Sequence, residues 1–463
     1  MSRGDSELDR PDAETLLHSD PFLFPRAPLR TPKGMGDLLP PEATARRALT
    51  RVVLRSFELC GYDLIVTPLF EHAEVVERGT DALDPRDLLR FVEPESGEVA
   101  VLRPDITPQV ARVIATRMAQ HPPPWRLCYE GRVIRRRRGR ARSHQQLTQA
   151  GVECVGLAGP DADVEIVRLA HEACVRAGLP DVRIELSHVT IAQSVLDKLP
   201  AALRLPVSEM LAQKDGAALA RIMHEARMPS ELGERLGALI EHYGELDVLR
   251  SAARALRWPA ATAALRNLDE IITRLDAAGI RGSLGVDLSD ARGSSYYTGM
   301  SFSLLAEGPG EPVGSGGRYD RLLSRYGLDQ PATGFAFDLE NLQWALREAG
   351  HDHELEPATL RLVLAGGAAS ESSRIAHELR EREVVVATLP PDSDLQTCLA
   401  FARTWRYDAV LLLGAGAAGS ASSNSRSRAR LVRTRDGVEK TVKPLEPAAI
   451  VALQGWAHER AKD

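Results

Sequence analysis

Residues 190–280 are rich in Ala and Leu, follow helical spacing almost throughout, and lie between two stretches that carry strand signals. Before them come YDLIVTP (62–68), a short run from Val99 to Arg103, and a pair of strands within Trp125–Gly156. After them strand character resumes at LGVDL (284–288) and continues through 290–308 and 313–327; ATGFAFDLENLQWALREAG (332–350) reads as a strand passing into a helix. Strands on either side of a long helical block must return to one sheet. This order predicts an α+β main domain over 26–350, its sheet largely antiparallel and its helical block, 190–280, an insertion.

HDHELEPA (351–358) reads as a polar linker, and beyond it strand and helix alternate: LRLVLAGG, SSRIAHELRER, VVVATLP, LQTCLAFARTW, DAVLLLG. That pattern predicts a small α/β domain over 359–463 with a mainly parallel sheet. Residues 1–25 are polar, irregular and acidic, without the apolar core of a signal peptide, and read as a disordered extension. No apolar run is long enough to span a membrane. A net charge of −6 argues against general nucleic-acid binding. The five cysteines show no CxxC pair and no zinc spacing, which points to reduced thiols in a cytoplasmic protein. No metal or cofactor is called for.

Polar chemistry concentrates in a few places. In WRLCYEGRVIRRRRGRARSHQQLTQAGVECVG (125–156), seven arginines fall between Arg132 and Arg142. On the returning strand Gln149, Gly151 and Glu153 alternate and so share a face. A glycine between a Gln and a carboxylate leaves room for a small ligand bearing an ammonium or an imidazole N–H. An ordinary polar hairpin with a solvated basic tip fits the same residues. In PDITPQVAR, Thr107 reads as a helix N-cap with Pro108 at the first helical position, holding Asp105 and Thr107 at a strand-to-helix junction. Simple capping accounts for these two residues equally well. Arg292 precedes Tyr296 and Tyr297, and a glycine-lined turn (Gly314, Gly316, Gly317) carries Arg318, Tyr319 and Asp320. Singly these are turn glycines and buried tyrosines; together they supply the groups that hold a free amino acid. Gly414, Gly416 and Gly419 satisfy GxGxxG, but SASSNSRSRAR follows instead of a helix, so the run reads as a loop.

LRPDITPQVAR, YEGRVIR…QAGVE, ARGSSYYTG and GGRYD resemble, in order and setting, the histidyl-tRNA synthetases and their non-synthetase relatives, the regulatory subunits of ATP phosphoribosyltransferase. The likeness covers 30–350 well; 359–450 is similar in pattern to the synthetase anticodon-binding domain. The resemblance implies a class II aminoacyl-tRNA synthetase-like core, an antiparallel sheet with flanking helices, dimeric through the region around Pro68. It also implies histidine-binding residues at Asp105 (in place of the usual Glu), Thr107, Arg135, Gln149, Glu153, Arg292, Tyr297 and Tyr319. In that picture Glu153 and Gln149 face the ammonium and imidazole, Arg292 and Arg135 the carboxylate, and the tyrosines shape the side-chain pocket.

The nucleotide end departs from the synthetase pattern. Arg137 stands where a glutamate is expected, Asn341 where a second arginine is, Ser295 for an Asp and Gln145 for an arginine. A lost phosphate-neutralising arginine removes a charge-assisted contact of roughly 1.5–3 kcal/mol, and Asn has no bidentate fork to replace it. The resemblance therefore implies a non-catalytic regulatory subunit of ATP phosphoribosyltransferase. Its partner would be the short catalytic subunit, its effector histidine, and its state a homodimer within a hetero-oligomer, with no tRNA and no membrane. An active histidyl-tRNA synthetase, supported by the C-terminal domain, and a synthetase paralogue with another binding role are the alternatives.

Overall fold

The computed structural model describes residues 30–79, 88–135, 146–291, 297–351, 359–414, 429–442 and 456. The N-terminal extension, most of the linker, Arg137, Gln145, Arg292, Ser295, Tyr296 and the glycine loop after Gly414 lie outside them. Among the described residues twelve strands precede the linker: β1 (Asp63–Leu64), β2 (Phe70–His72), β3 (Arg90–Val92), β4 (Val99–Leu102), β5 (Trp125–Ile134), β6 (Gln146–Val155), β7 (Arg183–His188), β8 (Tyr243–Gly244), β9 (Leu284–Asp287), β10 (Met300–Leu305), β11 (Gly314–Arg318) and β12 (Ala332–Asp338).

Nine of these form one sheet, ordered β1-β5-β6-β12-β11-β10-β7-β9-β8. All its pairings are antiparallel except β1–β5 and β7–β9. The strands before and after the helical block do share a sheet. YDLIVTP contributes only two residues to it, at the edge beside β5, where its closing proline costs no ladder bond. The run before Arg103 goes elsewhere, into a three-stranded sheet ordered β2-β4-β3.

The sheet has two unlike faces, set by alternation along each strand. The back is apolar. Val152 and Cys154 of β6, Phe335 and Phe337 of β12, and Phe302 and Leu304 of β10 are buried in one continuous core with the helices Glu42–Leu59, Pro160–Arg176 and Pro259–Ala277. Phe57, Phe335 and Phe337 meet there at centroid distances of 5.1–6.3 Å, two of the three contacts edge-on. Such ring pairs add about 0.5–1.5 kcal/mol each beyond area burial.

The helical block uses the same core. Val207, Leu211, Leu219, Leu236, Leu239 and Leu268 belong to the cluster that covers the back of the sheet. The block is also not wholly helical, because Tyr243–Gly244 pairs with β9 at the far edge of the sheet.

The front face of the sheet is small and polar. Directly opposed residues run Tyr129–Gly151–Ala336 in one row and Leu127–Glu153–Gly334–Gly317–Ser301–Ser187 in the next. The helix Thr107–Val113, continued by a π-helical turn to Met118, covers part of this face with Ile106, Val110 and Ile114. The rest is left open as a cavity.

After the linker come β13 (Arg361–Gly366), β14 (Val385–Thr388), β15 (Ala409–Leu413), β16 (Ala429–Arg433) and β17 (Glu439–Val442), ordered β14-β13-β15-β16-β17. The expected mainly parallel sheet is mixed: β13 is parallel to β14 and β15, whereas β15–β16 and β16–β17 are antiparallel. A parallel step needs a crossover helix, and none separates β16 from β17, which are joined by a tight turn at Gly437 (φ +72°). Four buried cysteines and the exposed Cys60 are all free thiols. No helix among the described residues is long and apolar enough to cross a membrane.

Candidate functional site

A cavity of about 440 Å³ opens on the front face of the sheet. Asp105, Thr107, Arg135, Gln149, Glu153, Tyr297 and Tyr319 all line it, although they come from the β4–helix junction, β5–β6, the loop before β10 and the end of β11. Seven of the eight residues singled out in the sequence thus converge. The eighth, Arg292, is outside the described residues.

Glu153 is the buried carboxyl at the floor, 2% exposed. Its Oε1 accepts from the Tyr129 hydroxyl at 3.1 Å. Its Oε2 is buried with no hydrogen-bond partner among the described residues. Burial pushes this carboxyl well above its ordinary range and the nearby Asp105 adds to the effect, against bonds from Thr107 and Tyr129 that favour the charged form. An orphaned carboxylate oxygen in a cavity is an expensive group to keep unless something with N–H donors visits it.

One glycine makes that oxygen accessible. A Cβ on Gly334, directly opposite Glu153, would stand 2.3 Å from Glu153 Oε2, 2.4 Å from the Tyr319 hydroxyl and 2.4 Å from the Val152 carbonyl. Gly151 plays a different part from the one expected. The space above it is filled: a Cβ there would meet the Tyr129 hydroxyl at 2.7 Å and the Phe335 carbonyl at 2.5 Å. Its lack of a side chain admits the ring of its cross-strand neighbour, and the ligand space lies above Gly334 instead.

Tyr129, which the sequence reading passed over, supplies the hydroxyl that holds Glu153 Oε1. The available signal was register, since a ladder in which Ile134 opposes Gln146 sets Tyr129 opposite Gly151.

The rim is held by Asp105. Its Oδ1 accepts from Thr107 N (3.1 Å), Thr107 Oγ1 (3.1 Å) and Gln149 Nε2 (3.1 Å), and its Oδ2 lies 3.3 Å from Arg135 Nη2. Gln149 Oε1 in turn accepts from Ile106 N at 3.1 Å. Asp105, not Thr107, therefore satisfies the first amide of this helix, which begins at Thr107 with Ile106 before it. The Thr107 hydroxyl is turned inward, 3.3 Å from that of Tyr129. Arg135 donates to the Pro104 carbonyl at 2.7 Å and stands at the mouth. With Asp105 and Gln149 tied to each other and to the backbone, the orphaned oxygen of Glu153 is the group best placed to receive a cation. Tyr297 and Tyr319 form the opposite wall, their centroids 6.4 Å apart. Desolvation, and then the charges of Asp105 and Glu153, push the Tyr297 phenol far up, keeping it a neutral donor.

The far end of the cavity is lined by Glu311, Pro312, Asp338 and Asn341. Asn341 is 2% exposed, and its Nδ2 donates to the Pro312 carbonyl at 2.9 Å. It is held in place rather than extended into the space. Among the described lining residues Arg135 is the one cation, against Asp105, Glu153, Glu311 and Asp338. A lining of that sign suits an ammonium group and is poorly matched to a triphosphate.

The family model for histidyl-tRNA synthetase matches residues 34–342. The ATP phosphoribosyltransferase regulatory subunit of Syntrophotalea carbinolica is 34% identical over 413 residues, 89% of this chain and 94% of that protein. The regulatory subunit of Anaeromyxobacter dehalogenans is 40% identical over 351 residues, 75% of this chain and 99% of its own length. A solved structure of an ATP phosphoribosyltransferase regulatory subunit/histidyl-tRNA synthetase from Bacillus halodurans superposes with a TM-score of 0.71 at 25% identity. The superposition covers 85% of this chain and 98% of that one.

Proposed function

Because this chain belongs to the family of ATP phosphoribosyltransferase regulatory subunits, built on the histidyl-tRNA synthetase fold, we propose that it is the non-catalytic regulatory partner of a short-form ATP phosphoribosyltransferase catalytic subunit. In this reading it enables the first step of histidine biosynthesis in the cytoplasm and carries feedback inhibition by histidine. The observation that bears most weight is the Oε2 of Glu153, without a hydrogen-bond partner among the described residues, at the floor of a cavity whose carboxylates outnumber its single arginine. Histidine's ammonium meets Glu153. Its imidazole lies between Tyr297 and Tyr319, within reach of the Tyr129–Thr107 hydroxyl pair, and its carboxylate faces Arg135, with Arg292 assigned there by resemblance. Asp105 and Gln149 shape the rim.

Inhibition requires that histidine bind one state of the complex better than another, and a coupling of about 1–3 kcal/mol gives roughly 5- to 150-fold. The chain acts as a homodimer through the apolar surface around Pro68, where Leu64, Val66, Leu69 and Phe70 are 44–81% exposed and β1 is an edge strand among the described residues. A second copy of the chain is the occupant that this surface fits.

The synthetase reading predicts histidine-dependent exchange of pyrophosphate into ATP. Calorimetric titration with histidine, run beside that exchange assay, separates the two. The proposal expects micromolar-range binding with no exchange; exchange activity, or no binding, overturns it.

A further inference from the structure

Arg103 directly precedes the cavity-lining Pro104 and Asp105, and it bonds both to the segment at the apolar surface and to β5. It is 5% exposed, and no carboxylate among the described residues pairs with it. Its guanidinium is satisfied by neutral oxygens instead: Nε donates to the Arg132 carbonyl at 2.8 Å, and Nη1 to Thr67 O (3.0 Å), Thr67 Oγ1 (2.8 Å), Pro68 O (3.2 Å) and Gln109 Oε1 (3.3 Å). The main chain repeats the bridge. Arg103 N donates to the Leu69 carbonyl at 3.2 Å, and the Arg103 carbonyl accepts from Ile134 N at 2.9 Å. One residue thus fixes Thr67, Pro68 and Leu69 on one side and Arg132 and Ile134 on the other. The next two residues, Pro104 and Asp105, are those gripped by Arg135 at the mouth of the cavity.

The site is built around this arginine. Gly131 has no side chain where a Cβ would stand 2.0 Å from Arg103 Nη2. Burial lowers the pKa of this guanidinium from its ordinary value, yet an arginine keeps its proton, so the cation must be met by oriented dipoles. A buried cation held by carbonyls from two segments ties their positions together. If one segment shifts, its carbonyls leave a desolvated charge behind.

We infer that Arg103 is a positioning residue that couples occupancy of the Glu153 cavity to the order of segment 64–72. An effector closing on Asp105 and Arg135 tightens Pro104 and the end of β5, and through Arg103 it tightens the Thr67–Leu69 backbone. The Gln109 amide, on Pro68 O (3.0 Å) and Glu71 Oε2 (3.3 Å), and the Arg112–Glu71 pair (2.8 Å) hold the far side of the same segment. The inference rests on the proposed binding of histidine in the cavity.

The test is amide hydrogen exchange over residues 64–72 of the full chain with and without histidine, alongside calorimetric titration, for the wild type, Arg103→Lys and Thr67→Val. Lysine keeps the charge but cannot span both carbonyl sets; Thr67→Val removes one acceptor and leaves the guanidinium in place. Histidine is expected to slow exchange in 64–72 of the wild type by about 5- to 150-fold. Arg103→Lys should still bind histidine but lose most of that protection, and Thr67→Val should lose part of it. Equal histidine-dependent protection in all three proteins overturns the coupling, as does histidine binding to the wild type without protection of 64–72. If the wild type binds no histidine, the effector reading fails and the coupling fails with it.

Discussion

Glu153→Gln should move two measurements in opposite directions. In the unliganded chain Glu153 is 2% exposed, one oxygen satisfied by Tyr129 and the other by nothing among the described residues. Burial, the largest influence, lifts its pKa well above that of a free carboxyl. Between the ordinary carboxyl value and this raised value the folded chain holds a proton that the unfolded chain releases. Stability therefore falls as pH rises through that window. Glutamine cannot ionise, and its amide would donate where the Val152 carbonyl and Tyr319 hydroxyl converge on Gly334. The substitution should remove the pH slope and stabilise the unliganded chain at neutral pH by about 1–3 kcal/mol, the cost of an unsatisfied buried group. Histidine binding should weaken at the same time, because a charge-assisted bond of about 1.5–3 kcal/mol to the ammonium is lost, roughly a 10- to 150-fold change. Wild-type affinity should rise with pH as Glu153 ionises, and that rise should be absent from the variant. Denaturant unfolding and calorimetric titration across pH 5–8 read both quantities. If stability and affinity fall together, Glu153 is a structural group. If affinity is unchanged, histidine's ammonium does not meet it.

Gly334→Ala should abolish measurable histidine binding, because its methyl would occupy the space between Glu153 and the Tyr319 hydroxyl; Gly36→Ala, with nothing within 4 Å, is the control. Titration of both variants, with circular dichroism to verify folding, would refute the placement of the ligand if Gly334→Ala binds normally. Val66→Asp, at a residue 81% exposed, should dissociate the homodimer without lowering the stability of the protomer. An unchanged mass by light scattering would move the interface elsewhere.

The main sheet was legible because strand signals on both sides of the helical block leave few topologies, and the order of strands removed most of those. The front-face alternation of Gln149, Gly151 and Glu153 was legible for the same reason, as alternation in a strand fixes the face. What Gly151 makes room for was not legible, because that depends on which residue lies across the ladder, and a hairpin's register is set by its turn. The same limit hid Tyr129. Asp105 and Thr107 exchanged parts: either can cap a helix, and only the backbone angles at Ile106, already helical, decide which one does. The C-terminal sheet was read as mainly parallel because helices alternate with its first three strands; ARLVR and EKTV, short and half charged, carry too little apolar pattern to stand out. The coupling through Arg103 has no sequence signature, since most of its partners are backbone carbonyls.

The most direct test of the account pairs this chain with the short-form catalytic subunit of the same organism and follows phosphoribosyl transfer to ATP. The account predicts little activity from the catalytic subunit alone, strong activity once this chain is added, and a decline as histidine is titrated that Glu153→Gln shifts to higher concentration. Activity that is indifferent to this chain, or inhibition that is unaltered by Glu153→Gln, would contradict it.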